Sequence, residues 1–368
     1  MTTTASILGL ERPLLTTAMG ILPHRDPHAA LDLAFSLDIP FWPQLPNLSF
    51  SEDTYVQTVR GIPGVEVDHE GLRILFDEDG FYAGLEEYLS LDPLDDLFAV
   101  TVEESATFGG FLERASAAYP ALRGQFMGPI SLCLMVKDAD NKPVIYRDDA
   151  REVAIRHVAA KVNRHLADLR AINPRSFVWV DEPGLEFLFT GITGYTSESA
   201  RSDLALFLSL LEGPRGVHLC GNPDWDFLLQ SEVDLISLDA YNNRDILVGY
   251  RSGIARLLER GGNIAWGAIP THTHQLEAET PRGLADRLLD LWDRLGEEGL
   301  SREDVTAHSL LTPATCCLVN PDLTATCLLY TSDAADDLLC VDLGGRRITQ
   351  TKTPHQSDPP NILSDTEP

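Results

Sequence analysis

A histidine and a cysteine in the segment Val217-His218-Leu219-Cys220-Gly221 have the types and the spacing that most directly indicate chemistry. In an extended strand, residues i and i+2 point to the same face, so His218 and Cys220 would lie side by side. An imidazole nitrogen and a thiolate at this spacing can bind one zinc ion. Alone the pair is weak evidence, because buried cysteine and histidine are more often packing residues.

Two adjacent cysteines later in the chain, Cys316 and Cys317, offer a third ligand. Three protein ligands and one exchangeable position form the usual pattern of a catalytic zinc site. We therefore predict Zn²⁺ on His218, Cys220 and one of these two cysteines, although both could simply cap the core. Asp239 follows another apolar run and has three possible roles: a displaceable oxygen ligand, a partner that orients His218, or the cap of the following helix.

Two acidic residues, Asp181 and Glu182, precede Pro183 at the end of a further apolar run. They are predicted catalytic residues, since carboxylates here could bind a substrate ammonium group or transfer protons. The alternative is that Asp181 caps the next helix. His272 and His274 form another metal-capable pair, but their polar surroundings favour a solvated loop.

The elements that position these residues alternate between short apolar runs and helical patterns, which is typical of βαβ units and a parallel sheet. Eight such runs predict an α/β fold, a single (β/α)8 TIM barrel, whose chemistry lies at the carboxyl ends of the strands. The runs are Leu15–Met19, Ile39–Trp42, Gln125–Leu132, Phe177–Val180, Val217–Cys220, Leu235–Leu238, Ile264–Ala268 and Ser309–Leu311. The predicted helices are Asp149–Ile172, Leu204–Leu211, Ile246–Leu258 and Pro281–Leu295, with His157 and His165 on an exposed face of the first.

An insertion over about residues 49–121 separates the second and third predicted strands. Val65–Phe76 has the pattern of a hairpin that turns at residues 69–71, and Tyr82–Tyr119 is largely helical in pattern. The barrel itself is assigned to residues 1–326.

Composition excludes some partners. The 368 residues suit one large domain, and a net charge of −28 repels nucleic acid and anionic membranes, so neither is an expected partner. No run of eighteen apolar residues and no signal-peptide pattern are found, which favours the cytoplasm.

The last residues have an unusual pattern. Residues 327–348 resemble translated sequencing-library adapters and are predicted to be a non-native segment, with a natural strand-rich tail as the alternative. Residues 349–368 are polar and predicted to be disordered. The last barrel helix would then be missing, which should destabilise the product and expose apolar surface.

Several motifs together resemble the superfamily of cobalamin-independent methionine synthase and uroporphyrinogen decarboxylase, over about residues 14–320. They are the segments 16–24, 39–46, 128–129, 181–183, 218–220 and 266–271, in the family order. His-x-Cys with a later cysteine resembles the zinc thiol methyltransferases of this group, in a short branch with one barrel. The family's serine is replaced by Ile21, its glutamate ligand has at best Asp239 in its place, and Cys317 stands where glycine is usual.

The resemblance implies zinc on His218, Cys220 and, by preference, Cys316. It also implies that Gly20, Gly128 and Asp181 bind the substrate, with Asp181 on the amino group of homocysteine. The implied reaction moves a methyl group from methyltetrahydrofolate or a methylated corrinoid protein to this small-molecule thiol. The alternatives are methyl transfer to coenzyme M or a similar thiol, metal-free decarboxylation of a tetrapyrrole, or corrinoid or metal binding without turnover.

Overall fold

A computed structural model describes residues 4–188, 194–296, 300–319 and 324–339. Its main sheet has seven parallel strands in the order β1-β10-β9-β8-β7-β6-β4, and a small sheet contains the other three. The strands are β1 Leu15–Thr16, β2 Val65–Asp68, β3 Arg73–Phe76, β4 Arg123–Met127, β5 Lys137–Asp138, β6 Phe177–Asp181, β7 Arg215–Leu219, β8 Leu235–Leu238, β9 Asn263–Ile269 and β10 Ser309–Pro313. The main sheet is curled and parallel, as expected for a TIM-like fold.

Helices connect these strands, as the alternating pattern predicts. They are α1 Pro27–Ala34, α2 Thr54–Val59, α3 Glu78–Leu89, α4 Phe108–Arg114, α5 Pro129–Met135, α6 Asp148–Arg170, α7 Ser197–Leu210, α8 Trp225–Leu229, α9 Ala240–Leu247, α10 Arg251–Glu259, α11 Thr273–Leu276, α12 Pro281–Gly296, α13 Arg302–Ala307 and α14 Thr324–Leu339. Among the described residues, no helix is both long and apolar enough to cross a membrane.

The predicted second strand, Ile39–Trp42, is not a regular strand in the structure. Its backbone nevertheless lies between the two edge strands: Ile39 N donates to Thr16 O (3.0 Å) next to β1, and Trp42 N donates to Arg123 O (3.0 Å) on β4. Isolated parallel bridges at Ile21–Gln44 and Phe41–Arg123 accompany these bonds. Seven of the eight predicted runs thus contain strands, and the eighth contributes bridges.

Two other predicted boundaries are wrong. The run Gln125–Leu132 was expected to be one strand, but β4 ends at Met127 and α5 begins at Pro129, whose fixed φ suits a first helical position. The helix predicted over Ile246–Leu258 is divided by a 3-10 turn at Val248–Tyr250 into α9 and α10.

His157 and His165 were expected on the surface, and this prediction is also wrong because both are fully buried. Aromatic side chains from the segment 49–121 and its neighbours cover them. His157 packs against Tyr88 and Phe98, and His165 stacks on Phe108 with a ring separation of 5.0 Å. The predicted hairpin in that segment is present as the antiparallel pair β2–β3.

A helix, α14, occupies residues where the last barrel helix was expected to be missing. Ala334, Ala335 and Leu338 of this helix are buried in the main core. The expected loss of the native last helix stays a prediction, because α14 consists largely of the residues interpreted as non-native. The adapter origin of residues 327–348 stays a prediction, and residues 340–368 lie outside the described residues.

Side chains along each strand alternate between two apolar layers, and this alternation positions the site. On β6, Phe177 and Trp179 belong to a small cluster inside the curled sheet, whereas Val178 and Val180 belong to the larger core beneath the helices. The period of two therefore places Asp181 on the inner face, beyond Trp179.

Candidate functional site

His218 lies on the inner face of β7, because its neighbours Val217 and Leu219 pack outward into the main core. Its Nδ1 is 2.9 Å from Ser237 Oγ on β8, and its ring stacks on Trp179 at 5.9 Å. Burial, with a smaller effect of Arg123, lowers the pKa of His218 to about 3. The imidazole is therefore neutral at physiological pH, and Nε2 is the ring nitrogen suited to binding a metal.

Cys220 follows β7 on the same face as His218 and is exposed. Partial burial, followed by the charges of Asp181 and Cys316, raises the pKa of its thiol to about 12. Burial, Cys317 and Asp181 likewise raise the pKa of Cys316 to about 11. These charge effects indicate that Asp181, Cys220 and Cys316 interact electrostatically at the end of the sheet.

The two adjacent cysteines differ in their surroundings. Cys317 is 2% exposed and packs in the main core, whereas Cys316 is half-buried. Of the two, Cys316 is the one whose charge raises the pKa of Cys220. Within the described residues, however, no three His, Cys, Asp or Glu side chains form a group that could hold a metal ion.

Asp181 is buried at the end of β6, and its two carboxylate oxygens differ. Oδ2 accepts a hydrogen bond from Gln125 Nε2 at 2.7 Å, whereas Oδ1 is buried without a hydrogen-bond partner among the described residues. Burial raises the pKa of Asp181 to about 7, against the opposing effect of Arg123. A buried acceptor without a partner is costly, so Oδ1 is a candidate contact for a ligand.

Glu182 is fully buried and binds the beginning of α5. Oε1 accepts from Ile130 N at 3.0 Å, and Oε2 accepts from Ser131 N at 2.8 Å and Ser131 Oγ at 2.6 Å. Burial raises the pKa of Glu182 to about 7, although these hydrogen bonds act in the opposite direction. The structure thus gives Glu182 a helix-capping position, and its predicted catalytic role stays a prediction.

Asp239 caps α9, as one of the three alternatives foresaw. Its Oδ1 accepts from Asn242 N at 2.8 Å and its Oδ2 from Asn242 Nδ2 at 2.7 Å. Burial raises its pKa. His272 and His274 are exposed, as expected, with ring centres 6.0 Å apart. The expected loop is wrong, because His272 precedes and His274 belongs to the short helix α11.

Gly20 and Gly128, the other predicted substrate-binding residues, lie at the same end of the sheet. Gly20 N donates to Gln125 Oε1 at 2.8 Å. A Cβ on Gly128 would lie 2.3 Å from Glu182 Cδ, so close packing against that carboxylate requires glycine here. Contact of either residue with a substrate stays a prediction.

Sequence reasoning missed three polar residues of this region: Arg123, Gln125 and Tyr55. Arg123 is fully buried, with its guanidinium 4.0 Å from the Trp179 ring centre, and burial lowers its pKa to about 9. Tyr55 on α2 is half-buried, and burial and then Glu182 raise its pKa. The detectable signal was Arg-x-Gln at strand spacing before Gly128, which places two polar side chains on the inner face.

Comparisons with known proteins agree with this fold. No family model matches the chain, and no curated protein matches it. A B12-independent methionine synthase from Shewanella sp. W3-18-1, solved with selenomethionine, is 15% identical with a TM-score of 0.51, covering 88% of this chain and 97% of that one. A methyltransferase from Methanosarcina mazei is 13% identical with a TM-score of 0.54, covering 90% and 95%. The resemblance noted in the sequence thus holds at the level of the fold.

Proposed function

We propose that this chain is a zinc-dependent methyltransferase that transfers a methyl group to a small thiol, with homocysteine as the first candidate. The observation that carries the proposal is the pair His218 and Cys220 at the carboxyl end of β7, together with the charge interactions of Cys220 with Asp181 and Cys316. The fold shared with a methionine synthase and with a methyltransferase supports it.

The chemistry of the donor set fits zinc. His218 is neutral and is oriented by Ser237 through Nδ1, as second-shell partners commonly orient a ligating histidine. The thiols of Cys220 and Cys316 interact electrostatically, and the burial that raises both thiol pKa values disfavours their thiolates, a cost that a bound cation would offset. When bound, zinc would lower the pKa of a substrate thiol and so supply a nucleophilic thiolate at neutral pH.

The chain's own residues account for binding and orientation. The free Oδ1 of Asp181 can accept a hydrogen bond from the ammonium group of an amino-acid thiol, while Gln125 holds Oδ2. Trp179 backs the His218 ring and keeps water from that side of it. Positioning in a partly dry site is the main contribution expected of the protein to an in-line methyl transfer.

Metal content tests the zinc site directly. Protein purified without chelators is expected to contain close to one zinc per chain, and Cys220→Ser and Cys316→Ser should each lose it. Cys317→Ser distinguishes the two adjacent cysteines and should retain zinc. Cys133→Ser is the matched control, because Cys133 is a buried core cysteine on α5. Absence of zinc from the unaltered protein, even after incubation with zinc, would refute the proposed zinc site.

Methyl transfer tests the reaction. We expect homocysteine to be methylated with methylcobalamin as donor, by analogy with the short branch of the superfamily, and methyltetrahydrofolate to be the poorer donor. Activity with methyltetrahydrofolate alone would refute the proposal that the methyl donor is a corrinoid. Competition by coenzyme M would identify a different thiol acceptor. Stoichiometric zinc without any methylated thiol would favour a binding module, and decarboxylation of a tetrapyrrole by zinc-free protein would favour the decarboxylase alternative.

A further inference from the structure

Gln125 lies at the centre of a buried hydrogen-bond network on the inner face of the sheet. Its side-chain oxygen is within hydrogen-bond distance of three donors: Gly20 N at 2.8 Å, Arg123 Nη1 at 3.0 Å and Trp179 Nε1 at 3.3 Å. Its side-chain nitrogen donates to Asp181 Oδ2 at 2.7 Å. Gln125 itself is fully buried.

The three donors fix the orientation of the Gln125 amide. An amide oxygen accepts and an amide nitrogen donates, so an oxygen that faces three N–H groups leaves the nitrogen to face the carboxylate. The opposite orientation would place the amide N–H groups against those of Gly20, Arg123 and Trp179, at the cost of several buried unsatisfied donors. The donor at Asp181 is therefore set by the surrounding residues.

The consequence concerns Asp181. Because Oδ2 is held by a short bond to a buried, fully constrained amide, the carboxylate cannot rotate freely, and Oδ1 has no hydrogen-bond partner in the part of the chain that the structure describes. The same amide holds the indole of Trp179, which stacks on His218. The Gln125 side chain thus links the carboxylate of Asp181 to the indole of Trp179.

We infer that Gln125 is a positioning residue that holds Asp181 so that its free oxygen receives the cationic amino group of the thiol substrate. The inference rests on the proposed function for the identity of that substrate. Gln125 itself contacts neither the substrate nor the metal. Its effect on binding is exerted through Asp181.

The test is a double-mutant cycle of Gln125→Glu and Asp181→Asn, with Gln57→Glu as the matched control. Gln125→Glu keeps the size of the side chain and its acceptor oxygen but replaces the donor at Asp181 by a second carboxylate oxygen. Asp181→Asn restores a donor–acceptor pair with reversed polarity. Gln57 is another buried glutamine, which donates to Glu104 O at 2.7 Å outside this network.

Urea unfolding should show the coupling. Gln125→Glu is expected to lower the urea midpoint much more in the Asp181 protein than in the Asp181→Asn background, whereas Gln57→Glu should lower it equally in both. Equal effects of Gln125→Glu in the two backgrounds would overturn the inference. This measurement needs neither zinc nor turnover.

Binding should show the functional consequence. In zinc-loaded protein, calorimetry should find that Gln125→Glu weakens homocysteine binding roughly tenfold, as expected for a disturbed hydrogen bond to a charged group. Binding of 4-mercaptobutyrate, which lacks the amino group, should change less than about twofold by the same reasoning. Equal weakening of both thiols would indicate a merely structural role and overturn the inference. If the unaltered protein binds neither thiol, the proposed function fails, and the unfolding cycle alone decides the role of Gln125.

Discussion

The buried carboxyl of Glu182 should make the stability of this protein depend on pH in a direction that the structure fixes. Burial raises its pKa from the usual 4.5 to about 7, because ionisation inside the protein is penalised more than three hydrogen bonds from the start of α5 compensate. The folded state therefore retains a proton that the unfolded state has already lost between these pH values.

The sign and the size follow from this difference. The contribution of Glu182 to stability is most favourable below pH 4.5, declines as the pH rises towards 7, and is constant above that. The full change is about 3 kcal/mol. Many other acidic groups also titrate in this range, so the pH dependence of the protein's total free energy of unfolding does not isolate Glu182. The difference between the unaltered protein and Glu182→Gln does isolate it.

The assay is urea unfolding of chelator-treated protein at four pH values between 5 and 8, followed by the fluorescence of its buried tryptophans. Glu182→Gln should be less stable than the unaltered protein at pH 5, because glutamine cannot accept all three hydrogen bonds. That deficit should shrink by up to about 3 kcal/mol by pH 8. A deficit constant within about 0.5 kcal/mol, which is the usual error of such differences, would refute a raised pKa for this carboxyl.

Three further predictions concern stability. Lys161→Ala should cost about 1–3 kcal/mol in urea unfolding, since the buried Gln57 carbonyl loses its donor at 2.7 Å and Glu104 keeps only Arg60 as a charged partner; a loss below about 0.5 kcal/mol would contradict this. Gly128→Ala should unfold at much lower urea because its Cβ would lie 2.3 Å from Glu182 Cδ, whereas the control Gly109→Ala, with open space in α4, should be neutral or slightly stabilising. Leu338→Asp should lower the thermal midpoint markedly if α14 packs as described, and an unchanged midpoint would show that this segment is not part of the fold.

The sequence determined much of the fold, because burial of parallel strands leaves a strong signal. The run at 177–180 is apolar on both faces, the runs at 217–220 and 235–238 are interrupted only by His218 and Ser237, and the three became β6, β7 and β8. The same local alternation put His218 and Cys220 on one face. Local apolar content could not distinguish strand from helix at Leu132, and it could not show that His157 and His165 are covered by aromatic rings distant in sequence.

The site shows the same division between local and distant information. Residue types and the rule that barrel chemistry lies at strand ends were enough to select Asp181, His218, Cys220 and the later cysteine pair. The resemblance already favoured Cys316, but only the tertiary structure showed that Cys316 and Cys317 differ in burial, since burial depends on which elements pack around them.

Two roles were likewise decided by contacts between segments distant in sequence. The structure gave Glu182 a capping position at the start of α5, and it made Gln125 the partner of Asp181. The cap that Asp239 forms on α9 is local, and the sequence already offered it as an alternative. A residue's type and near neighbours limit what a polar side chain can donate or accept. Its actual partners are set by the register of adjacent strands, and that register is fixed by packing across the whole curled sheet.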